Sequence, residues 1–345
     1  MSLLNVRTAA ASDAAAWDAF VEHTPEATFF HRYGWRSVIE EVFAHRTHYL
    51  LAERDGRVVG ILPLAEVKSR LFGHALISTP FCVYGGIVAI DEAARAALDA
   101  RAQALAGELG VGHLEYRDRD TPAHADWPGT DLYVTFRKAI DPDVEKNLLA
   151  IPRKQRAMVR KGIKNGLTAE LDEGVDAFFR VYADNVRRHG TPALPKRYFA
   201  TLRATFGRDC EVLLVKTAAG RVVSAVLSFR FRDEILPYYA GDLVEARALA
   251  ANDFKYWEVM RRACEQGLRV FDYGRSKVGT GPYDFKRNWG FTPQPLQYRY
   301  KLVRARALPQ NNPNNPKYRL FIAAWRRLPL PLANFLGPYL VRNLG

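Results

Sequence analysis

The chain has 345 residues, of which 48 % are hydrophobic and 25 % are charged. These are ordinary values for a globular protein, so the composition excludes an intrinsically disordered chain, and the length predicts two domains. The formal net charge of +13 predicts an anionic partner: an RNA, a phosphorylated cofactor, a nucleotide-linked sugar or an acidic lipid surface.

The three cysteines, Cys82, Cys210 and Cys264, lie far apart and are odd in number. Their spacing fits neither a metal-ligand motif nor the disulfide framework of a secreted protein. The beginning of the chain lacks an apolar segment behind a basic one, and no later segment has the roughly 20 apolar residues of a membrane span. We therefore expect a cytoplasmic protein without a metal site.

The first predicted elements are two helices within residues 11–43, with Ser12 as the candidate N-cap of the first. The segment LLAERDGRVV (50–59) then places two apolar runs about a polar turn, and the second run continues as GILPLAEVK. Two such runs joined by a short loop with glycine predict a hairpin. A helix over 91–110, which stops at glycine, and a strand over 113–117 complete the first half.

The second half repeats this order of elements. LLVKTAAGRVV (213–223) matches LLAERDGRVV, Ala240-Gly241 matches Gly85-Gly86, and a helix over 251–267 and a strand over 270–274 follow. The offset is 164 residues at the Gly-Arg-Val-Val motif and 157 residues between Glu115 and Asp272. Nearly constant offsets between elements in the same order predict a duplication, in which each half is an α/β unit with a mixed sheet.

These elements predict a first domain at 1–145, a second domain at 146–305 and a tail at 306–345. The joint falls near Pro142 and Pro152, which interrupt the helical periodicity. Within the tail, PQNNPNNPK (309–317) is typical of an exposed linker. The remaining tail is apolar, basic and interrupted by prolines, so it either packs on the first domain or lies at a membrane surface.

Four segments of the second half resemble those of a known family. They are RKQRAMVRKG (153–162), YYAG (238–241), FDYGRS (271–276) and YDFKRNWGF (283–291). Their order and spacing resemble the FemAB proteins, a group with duplicated domains of the acyl-CoA-dependent acetyltransferase (GNAT) fold. Within that group the chain is similar to the FemAB-related proteins that accompany exosortase/PEP-CTERM systems, where extracellular polysaccharide is made.

The resemblance implies two tandem GNAT-like domains with mixed sheets and an acyl- or aminoacyl-transferase activity. Cell-wall members of the group use aminoacyl-tRNA to extend the peptide of a peptidoglycan precursor, and others acylate sugars from an acyl thioester. This chain lacks the Q/R-x-x-G-x-G/A loop that holds the cofactor pyrophosphate in ordinary GNAT enzymes, and it lacks the long helical arm of some cell-wall members. The donor therefore stays open between acyl-CoA and aminoacyl-tRNA.

The basic stretch is the first candidate binding site. Between residues 153 and 164 the chain carries six cations and no acid, namely Arg153, Lys154, Arg156, Arg160, Lys161 and Lys164. On a helix, Arg153, Arg156 and Arg160 share one face. Because guanidinium forks suit phosphate oxygens, we predict that these arginines and Lys161 bind a diphosphate. A solvated helix face is the alternative, and the repulsion between like charges favours the anion.

The second candidate site is the end of the strand that carries Asp272. Arg275 and Lys277 follow as candidate substrate-binding residues, and then the loop GTGPY (279–283). Active sites of α/β sheets lie preferentially at strand ends, and a glycine-rich loop lets backbone amides approach an anion. A plain turn is the alternative for this loop. Lys286 with Trp289 forms a cation-plus-aromatic group suited to a nucleotide, a tRNA end or a sugar, with core packing as the equal alternative.

Acyl transfer needs a base for the nucleophile and a donor for the developing oxyanion. We predict Asp272 as the general base, Tyr239 or Tyr283 as proton donor or orienting group, and Lys286 or backbone amides at the oxyanion. Asp253 is a second candidate base, although its position at the start of a helix favours capping. The first half lacks this Gly-Lys-aromatic segment, so we expect an active second half and a degenerate first half.

In the first half, the segments around Trp35 and Tyr84 resemble those that line the acceptor groove in relatives. Both rings are candidates to stack on a sugar, and packing between the domains is the alternative. The whole pattern predicts transfer of an acyl or aminoacyl group to an amine or hydroxyl of a nucleotide- or lipid-linked cell-envelope saccharide or peptidoglycan precursor.

We expect this reaction in the cytoplasm, with peripheral contact at the inner face of the plasma membrane. The alternative is a non-catalytic assembly protein of a polysaccharide export system. The sequence contains neither an RNP-like aromatic pattern nor a helix-turn-helix signature, so we expect no DNA partner and no generic RNA-binding module.

Overall fold

The computed structural model describes residues 3–69, 73–308 and 319–343, so the predicted linker at 309–317 lies outside the described residues. The helices are α1 (Ala14–His23), α2 (Trp35–Phe43), α3 (Glu92–Leu109), α4 (Val144–Ala150), α5 (Arg153–Lys164), α6 (Asp176–Arg188), α7 (Lys196–Phe206), α8 (Ala246–Leu249), α9 (Ala251–Glu265), α10 (Gly281–Asn288), α11 (Arg319–Arg327) and α12 (Leu330–Val341). The strands are β1 (Leu4–Thr8), β2 (Arg46–Arg54), β3 (Arg57–Ser69), β4 (Gly73–Ser78), β5 (Val88–Ala89), β6 (His113–Asp118), β7 (Tyr133–Thr135), β8 (Arg137–Ala139), β9 (Thr168–Asp172), β10 (Cys210–Lys216), β11 (Val222–Phe231), β12 (Glu234–Asp242), β13 (Val270–Asp272), β14 (Ser276–Lys277), β15 (Gln294–Pro295) and β16 (Gln297–Leu302).

The chain forms two compact units. Unit 1 comprises Met1–Asp131, Pro295–Asn311 and Arg342–Gly345, and unit 2 comprises Leu132–Gln294 and Asn312–Val341. These bounds differ from the predicted 1–145 and 146–305. The reason is strand pairing, because β8 pairs with β13 in unit 2, and β16 returns to pair with β6 in unit 1.

Unit 1 is built on a mixed sheet in the order β1-β2-β3-β4-β6-β16, in which β4 and β6 run parallel. The predicted hairpin is β2 and β3, and α3 covers the sheet with its buried residues Leu98, Ala102 and Leu105. Asp91 caps α3 by accepting a hydrogen bond from the amide of Ala94 (2.9 Å). The element predictions for this half are therefore confirmed.

One local prediction in unit 1 is wrong. Ser12 does not cap the first helix, because it lies inside a short 3₁₀ turn, Ala11–Asp13, that precedes α1. The cap of that turn is made by Asp13, whose carboxylate accepts a hydrogen bond from the amide of Ala10 (2.7 Å) and pairs with Arg7 (2.6 Å).

Unit 2 is built on a second mixed sheet in the order β8-β13-β12-β11-β10-β9, in which β12 and β13 run parallel. The predicted hairpin is β10 and β11, and the predicted helix over 251–267 is α9. One face of α9 packs into the core through Trp257, Val259 and Met260. Taken from β9 to β8, this order repeats the six-strand path β1-β2-β3-β4-β6-β16 of unit 1, whose additional strand β5 pairs with β3.

The strand registers align the two units residue by residue. Glu66 on β3 and Arg230 on β11 are 164 residues apart, the offset of the two hairpins. In unit 1, Glu66 faces Leu76 on β4, which faces Leu114 on β6. In unit 2, Arg230 faces Ile235 on β12, which faces Phe271 on β13. The residues that follow, Glu115 and Asp272, are therefore equivalent, in agreement with the predicted offset of 157. This equivalence supports the duplication and allows the same position to be compared in the two units.

The tail forms α11 and α12, and both helices pack against α6 of unit 2. Arg187 of α6 donates hydrogen bonds to the carbonyls of Arg326 (2.9 Å) and Leu328 (3.3 Å). Within unit 2, α6 therefore holds the turn between these helices, and their packing on the first domain stays a prediction. Arg342 belongs to unit 1, where it donates to the carbonyl of Phe43 (3.0 Å).

Across the described ranges, we find no helix that combines the length and the hydropathy needed to cross a membrane.

Candidate functional site

The candidate site lies where β12 and β13 diverge. Their parallel pairing joins Glu234 to Val270 and Ile235 to Phe271, after which β13 ends at Asp272 while β12 continues to Asp242. On its other edge, β12 has a bulge at Tyr238, since Leu227 faces Tyr239 and Ser228 faces Pro237. A bulge bends its strand and increases the local twist. We call the region between residues 236–241 of β12 and residues 273–275 the fork.

Glycine keeps one side of the fork open. Gly274 has φ +61°, a left-handed conformation that favours glycine, and a Cβ at this position would lie 3.7 Å from the ring of Tyr238. Tyr238, Tyr239 and Ala240 are half-buried, whereas the preceding residues of β12 at 235–237 are buried. The bulged segment is therefore the part of the strand that reaches solvent.

Asp272 holds the backbone of the fork. Its side chain is fully buried, and its carboxylate accepts hydrogen bonds from the amide of Gly274 (2.7 Å), from Arg137 (3.1 Å) and from Thr135 (3.4 Å). Arg137 also pairs with Glu234 at the start of β12. The prediction that Asp272 is the general base is therefore wrong, because its oxygens face protein donors. It is a positioning residue for residues 273–275.

Lys286 binds the same segment from α10. Its buried ammonium donates hydrogen bonds to the carbonyls of Tyr273 (2.8 Å), Gly274 (3.1 Å) and Arg275 (3.2 Å). Burial lowers the pKa of Lys286 to about 7, and the Asp272 carboxylate opposes this shift. The prediction of an oxyanion donor is wrong, since all three N–H groups are used. The structure brings Asp272 and Lys286 together, but as two anchors of one loop.

Of the two tyrosines predicted as proton donors, Tyr239 lies on the fork. Its hydroxyl forms a hydrogen bond with the hydroxyl of Tyr198 on α7 (2.8 Å). Tyr283 instead lies on α10, where its ring packs edge-to-face on Phe136 and under the guanidinium of Arg287. Tyr239 therefore remains a candidate proton donor or orienting group at the bulge.

Trp289 belongs to the core. It is 1 % exposed, and its indole N–H donates to Asp253 (2.9 Å). The prediction that it stacks on a substrate is therefore wrong, and the core alternative is correct. Asp253 does not cap α9 either, because the helix begins after Ala250 without a side-chain cap. Burial raises the pKa of Asp253, while the hydrogen bond from Trp289 lowers it.

Arg275 and Lys277 lie beside the fork, next to Tyr133. The guanidinium of Arg275 lies 4.7 Å from the centre of the Tyr133 ring and the Lys277 ammonium 5.7 Å from it. Arg275 is exposed, and burial lowers the pKa of Lys277 to about 8. The glycine-rich loop that follows is a turn into α10, with Thr280 as its N-cap residue. Both cations therefore remain candidate substrate-binding residues.

The basic stretch forms α5, as predicted. Arg153, Arg156, Arg160, Lys161 and Lys164 line a shallow open cavity of about 440 Å³ together with Ala157. Val159 and Gly162 form the buried side of the helix, and Gly162 lies against Phe254 of α9. Lys154 is exposed and does not line this cavity. The helix therefore presents its cations together on one open surface of unit 2.

Unit 1 has the same strand divergence, but its own chain fills it. On β3, Leu64 faces Ser78 and Ile61 faces Val88, so residues 79–87 lie between two paired positions and leave the sheet. At the equivalent place in unit 2, the chain has only the bulge at Tyr238. This segment is fixed by Gly85, whose amide donates to the carbonyl of Arg117 (2.8 Å), and by the Arg117 guanidinium, which donates to the carbonyl of Cys82 (2.9 Å).

Unit 1 has a large side chain at the chain position where unit 2 has glycine. Counted on from the equivalent Glu115 and Asp272, Arg117 corresponds to Gly274, although Arg117 is still paired within β6 whereas Gly274 follows the end of β13. The predicted match of Gly85-Gly86 with Ala240-Gly241 is wrong. Ile61 and Ala225 are equivalent on β3 and β11, and their partners are Val88 and Gly241, so Gly241 is equivalent to Val88. Gly85 and Gly86 instead lie in the inserted segment 79–87.

Trp35 and Tyr84 do not line an open groove in unit 1. Both are buried, and the indole of Trp35 donates to the carbonyl of Phe29 (3.2 Å). Tyr84 packs edge-to-face on Phe30. Their prediction as sugar-stacking residues is therefore wrong, because their rings are enclosed by unit 1 itself.

Sequence reasoning missed two residues of the site, Arg137 and Tyr198. Arg137 lies far from Asp272 in the chain, and only the antiparallel pairing of β8 with β13 places it opposite. Tyr198 sits among ordinary helix residues of α7, and nothing in its neighbourhood distinguishes it. No sequence signal could have identified either one.

Comparison with known proteins supports the fold and the domain type. Residues 153–287 match the family model described as the acetyltransferase (GNAT) domain. The crystal structure of FemX is 16 % identical and covers 92 % of this chain and 100 % of its own, with a TM-score of 0.67. A search of curated protein sequences gives no match.

Two further solved structures are similar in fold. A tandem GNAT protein from the clavulanic acid biosynthesis pathway is 15 % identical, covering 87 % of this chain and 99 % of its own, with a TM-score of 0.54. L-PGS from Bacillus licheniformis is 14 % identical, covering 86 % of this chain and 94 % of its own, with a TM-score of 0.58. The chain therefore has the two-domain GNAT-like fold of FemX, with a GNAT domain in unit 2. The expected fold and the resemblance to FemAB-like GNAT proteins are confirmed, and the exosortase/PEP-CTERM link stays a prediction.

Proposed function

We propose that the chain is an acyltransferase that holds an acyl donor in the fork of unit 2 and acylates an amine or hydroxyl of an anionic cell-envelope precursor. The acceptor is a saccharide or a peptidoglycan precursor linked to a nucleotide or a lipid. The observation that carries the proposal is the contrast between two corresponding positions. In unit 2 the fork is kept open at Gly274, whereas in unit 1 Arg117 and residues 79–87 fill it.

An open parallel fork suits an extended donor. Beyond Ile235 and Phe271, residues of β12 and β13 no longer pair with each other, so a chain with amide groups can lie along β12 as an added strand. The acyl carbonyl would then lie near the bulge at Tyr238 and Tyr239. Backbone N–H groups at such a bulge can stabilise the oxyanion as the nucleophile attacks.

The chemistry proposed at the fork is one acyl transfer. The nucleophilic nitrogen or oxygen forms a bond to the acyl carbon, the bond to the donor sulfur or oxygen breaks, and the nucleophile releases its proton to a base. The leaving group needs a proton in return, and we assign this role to Tyr239, with Tyr198 orienting its hydroxyl. Asp272 and Lys286 act indirectly, by fixing residues 273–275.

For the donor we favour acyl-CoA over aminoacyl-tRNA. In the turn before α9, Ala250 follows Arg247 by three residues, which is the spacing between the arginine and the first glycine of the GNAT pyrophosphate loop. Ala250 has a left-handed backbone conformation (φ +59°), so this turn has the conformation that a glycine would adopt there although the residue is alanine. The first amides of α9 have no side-chain cap, and such a helix start attracts phosphate groups. Aminoacyl-tRNA stays the second candidate because the chain carries a net charge of +13.

For the acceptor we propose that the phosphates bind on α5. Its cavity gathers five cationic side chains, and no acid lies within the helix. Arginine forks bind a diphosphate in a bidentate manner, which fits a nucleotide- or lipid-linked precursor. In calorimetric titration with uridine diphosphate, Arg160→Gln should lose about tenfold in affinity. Lys154→Gln is the matched control, since it removes one charge from the same helix outside the cavity. Equal losses in both variants would reject the cavity as a site.

A thermal-shift titration with acetyl-CoA and, separately, with aminoacylated tRNA tests the donor. A ligand that binds only the folded state raises the melting temperature with its concentration. A shift with acetyl-CoA supports acyl transfer from a thioester, and a shift with tRNA alone supports aminoacyl transfer. An unchanged melting temperature with both ligands would favour the non-catalytic assembly protein of a polysaccharide export system.

A further inference from the structure

The helix α12 exposes large apolar residues and buries small ones, the reverse of the usual arrangement at a protein surface in water. Its buried residues are the small Ala333 and Gly337, and Gly337 lies against the backbone of Ala193. Its large apolar residues point outward, with Leu332 43 %, Phe335 65 %, Leu336 37 % and Tyr339 63 % exposed. These four have the spacing i, i+3, i+4 and i+7, so they form one continuous stripe.

The preceding helix α11 extends this surface. Leu320 and Phe321 are exposed, whereas Trp325 is buried and stacks on the ring of Phe321. Between the helices lies an apolar groove of about 460 Å³, lined by residues that include Phe321, Leu328, Leu336 and Leu340. We call the exposed apolar face of α11 and α12 the tail surface. Contiguous apolar surface of this kind marks an interaction site.

The tail surface is held rigidly and is accompanied by positive charge. Besides the bonds from Arg187 to the turn, Gly190 after α6 lies directly against Ile322 of α11. Arg326 and Arg327 are exposed at the end of α11. The charged residues of α11 and α12 are all arginines, Arg319, Arg326 and Arg327. An apolar face with aromatic rings on helices that carry only positive charges complements an anionic lipid surface.

We propose that the tail surface docks on a bilayer that contains anionic lipids, with Phe335 and Tyr339 entering the interface and Arg326 and Arg327 meeting lipid phosphates. The occupant is a lipid surface rather than a second copy of the chain, because a second copy would bring the same uncompensated positive charges against these arginines. The proposal does not depend on the acyl-transfer activity, since the tail surface contains none of the residues of the fork.

Vesicle co-sedimentation of the full chain tests the proposal. The protein should pellet with vesicles of phosphatidylcholine mixed with phosphatidylglycerol, and only weakly with phosphatidylcholine alone. Binding should fall with added salt, since the lipid charge is screened. The double variant Phe335→Ala/Tyr339→Ala should lose about tenfold or more in partitioning, as it removes two large rings. Arg326→Gln/Arg327→Gln should lose the preference for the anionic lipid.

Leu171→Ala is the matched control, because Leu171 is 44 % exposed on β9 and is far from α11 and α12 in the chain. It should bind vesicles like the unchanged protein. Because Phe335 and Tyr339 are exposed, the circular dichroism and melting temperature of their double variant should stay unchanged. The arginine variant loses one hydrogen bond, from Arg326 to the carbonyl of His189 (3.4 Å), and should keep its circular dichroism. Absence of binding to the anionic vesicles would overturn the proposal, as would equal binding by the tail variants. A dimer in sedimentation velocity without lipid, converted to a monomer by Phe335→Ala/Tyr339→Ala, would assign the surface to a second copy instead.

Discussion

Replacing Gly274 by arginine should place a large side chain in the fork of unit 2, at the chain position that corresponds to Arg117 of unit 1. A residue with a Cβ at φ +61° costs roughly 1–2 kcal/mol of backbone strain. For a unit of this size, that strain should lower the melting temperature by about 2–8 °C. The arginine side chain, however, continues past the ring of Tyr238, which lies only 3.7 Å from the Cβ position, and enters the space proposed for the donor.

Gly274→Ala is the matched control, because it carries the same backbone strain and its Cβ makes only an ordinary contact with Tyr238. Isothermal titration with acetyl-CoA should give an affinity near that of the unchanged protein for Gly274→Ala. For Gly274→Arg it should give a loss of about a hundredfold or more, which corresponds to about 2.8 kcal/mol. Equal affinities of the two variants would refute the reasoning, because the donor would then not lie in the fork.

Three other predictions concern the residues around the fork. Asp272→Asn should lower the free energy of unfolding by about 3 kcal/mol in urea titration, since it removes the buried carboxylate that pairs with Arg137 and accepts from the amide of Gly274; an unchanged midpoint would contradict this anchoring role. The pKa of Lys286 is about 7 in the folded state, against an ordinary value of 10.5. At pH values between 7 and 10.5 the unfolded state therefore binds a proton at this lysine that the folded state has lost. The stability of the protein should therefore rise from pH 7 to pH 10 relative to Lys286→Met, and a parallel pH dependence of the two would contradict it. Tyr239→Phe should lower kcat by about a hundredfold, whereas Tyr198→Phe, which removes the same hydrogen bond but leaves the Tyr239 hydroxyl in place, should lower kcat by a smaller factor; equal kcat values for the two variants would exclude Tyr239 as the proton donor.

The sequence was sufficient for the duplication because the repeated elements are local. The Gly-Arg-Val-Val turns and the helices that end at glycine are short-range features, and their offsets survive in the register that aligns Glu115 with Asp272. The domain bounds were not accessible in this way. They depend on β8 and β16, which pair with strands far away in the chain, and the sequence of a short strand does not indicate which strand it pairs with.

The sequence predicted that Asp272, Lys286 and Tyr239 lie near one another, but not which groups face them. All three do lie at the strand end, yet their roles depend on those facing groups. Trp289, Trp35 and Tyr84 show the same limit, because a ring that stacks on a ligand and a ring in the core have the same sequence pattern. Burial, which decides between them, arises from the whole fold rather than from the neighbouring residues.

The most direct test of the central claim is photo-crosslinking with an acyl-CoA analogue that carries a photoreactive group on its acyl chain, followed by peptide mapping. The account predicts labelling in unit 2, within residues 236–241 and 273–275, and competition by unlabelled acetyl-CoA. Labelling at residues 79–87 or 115–118 of unit 1, or a label that acetyl-CoA does not displace, would contradict the assignment of the fork as the donor site.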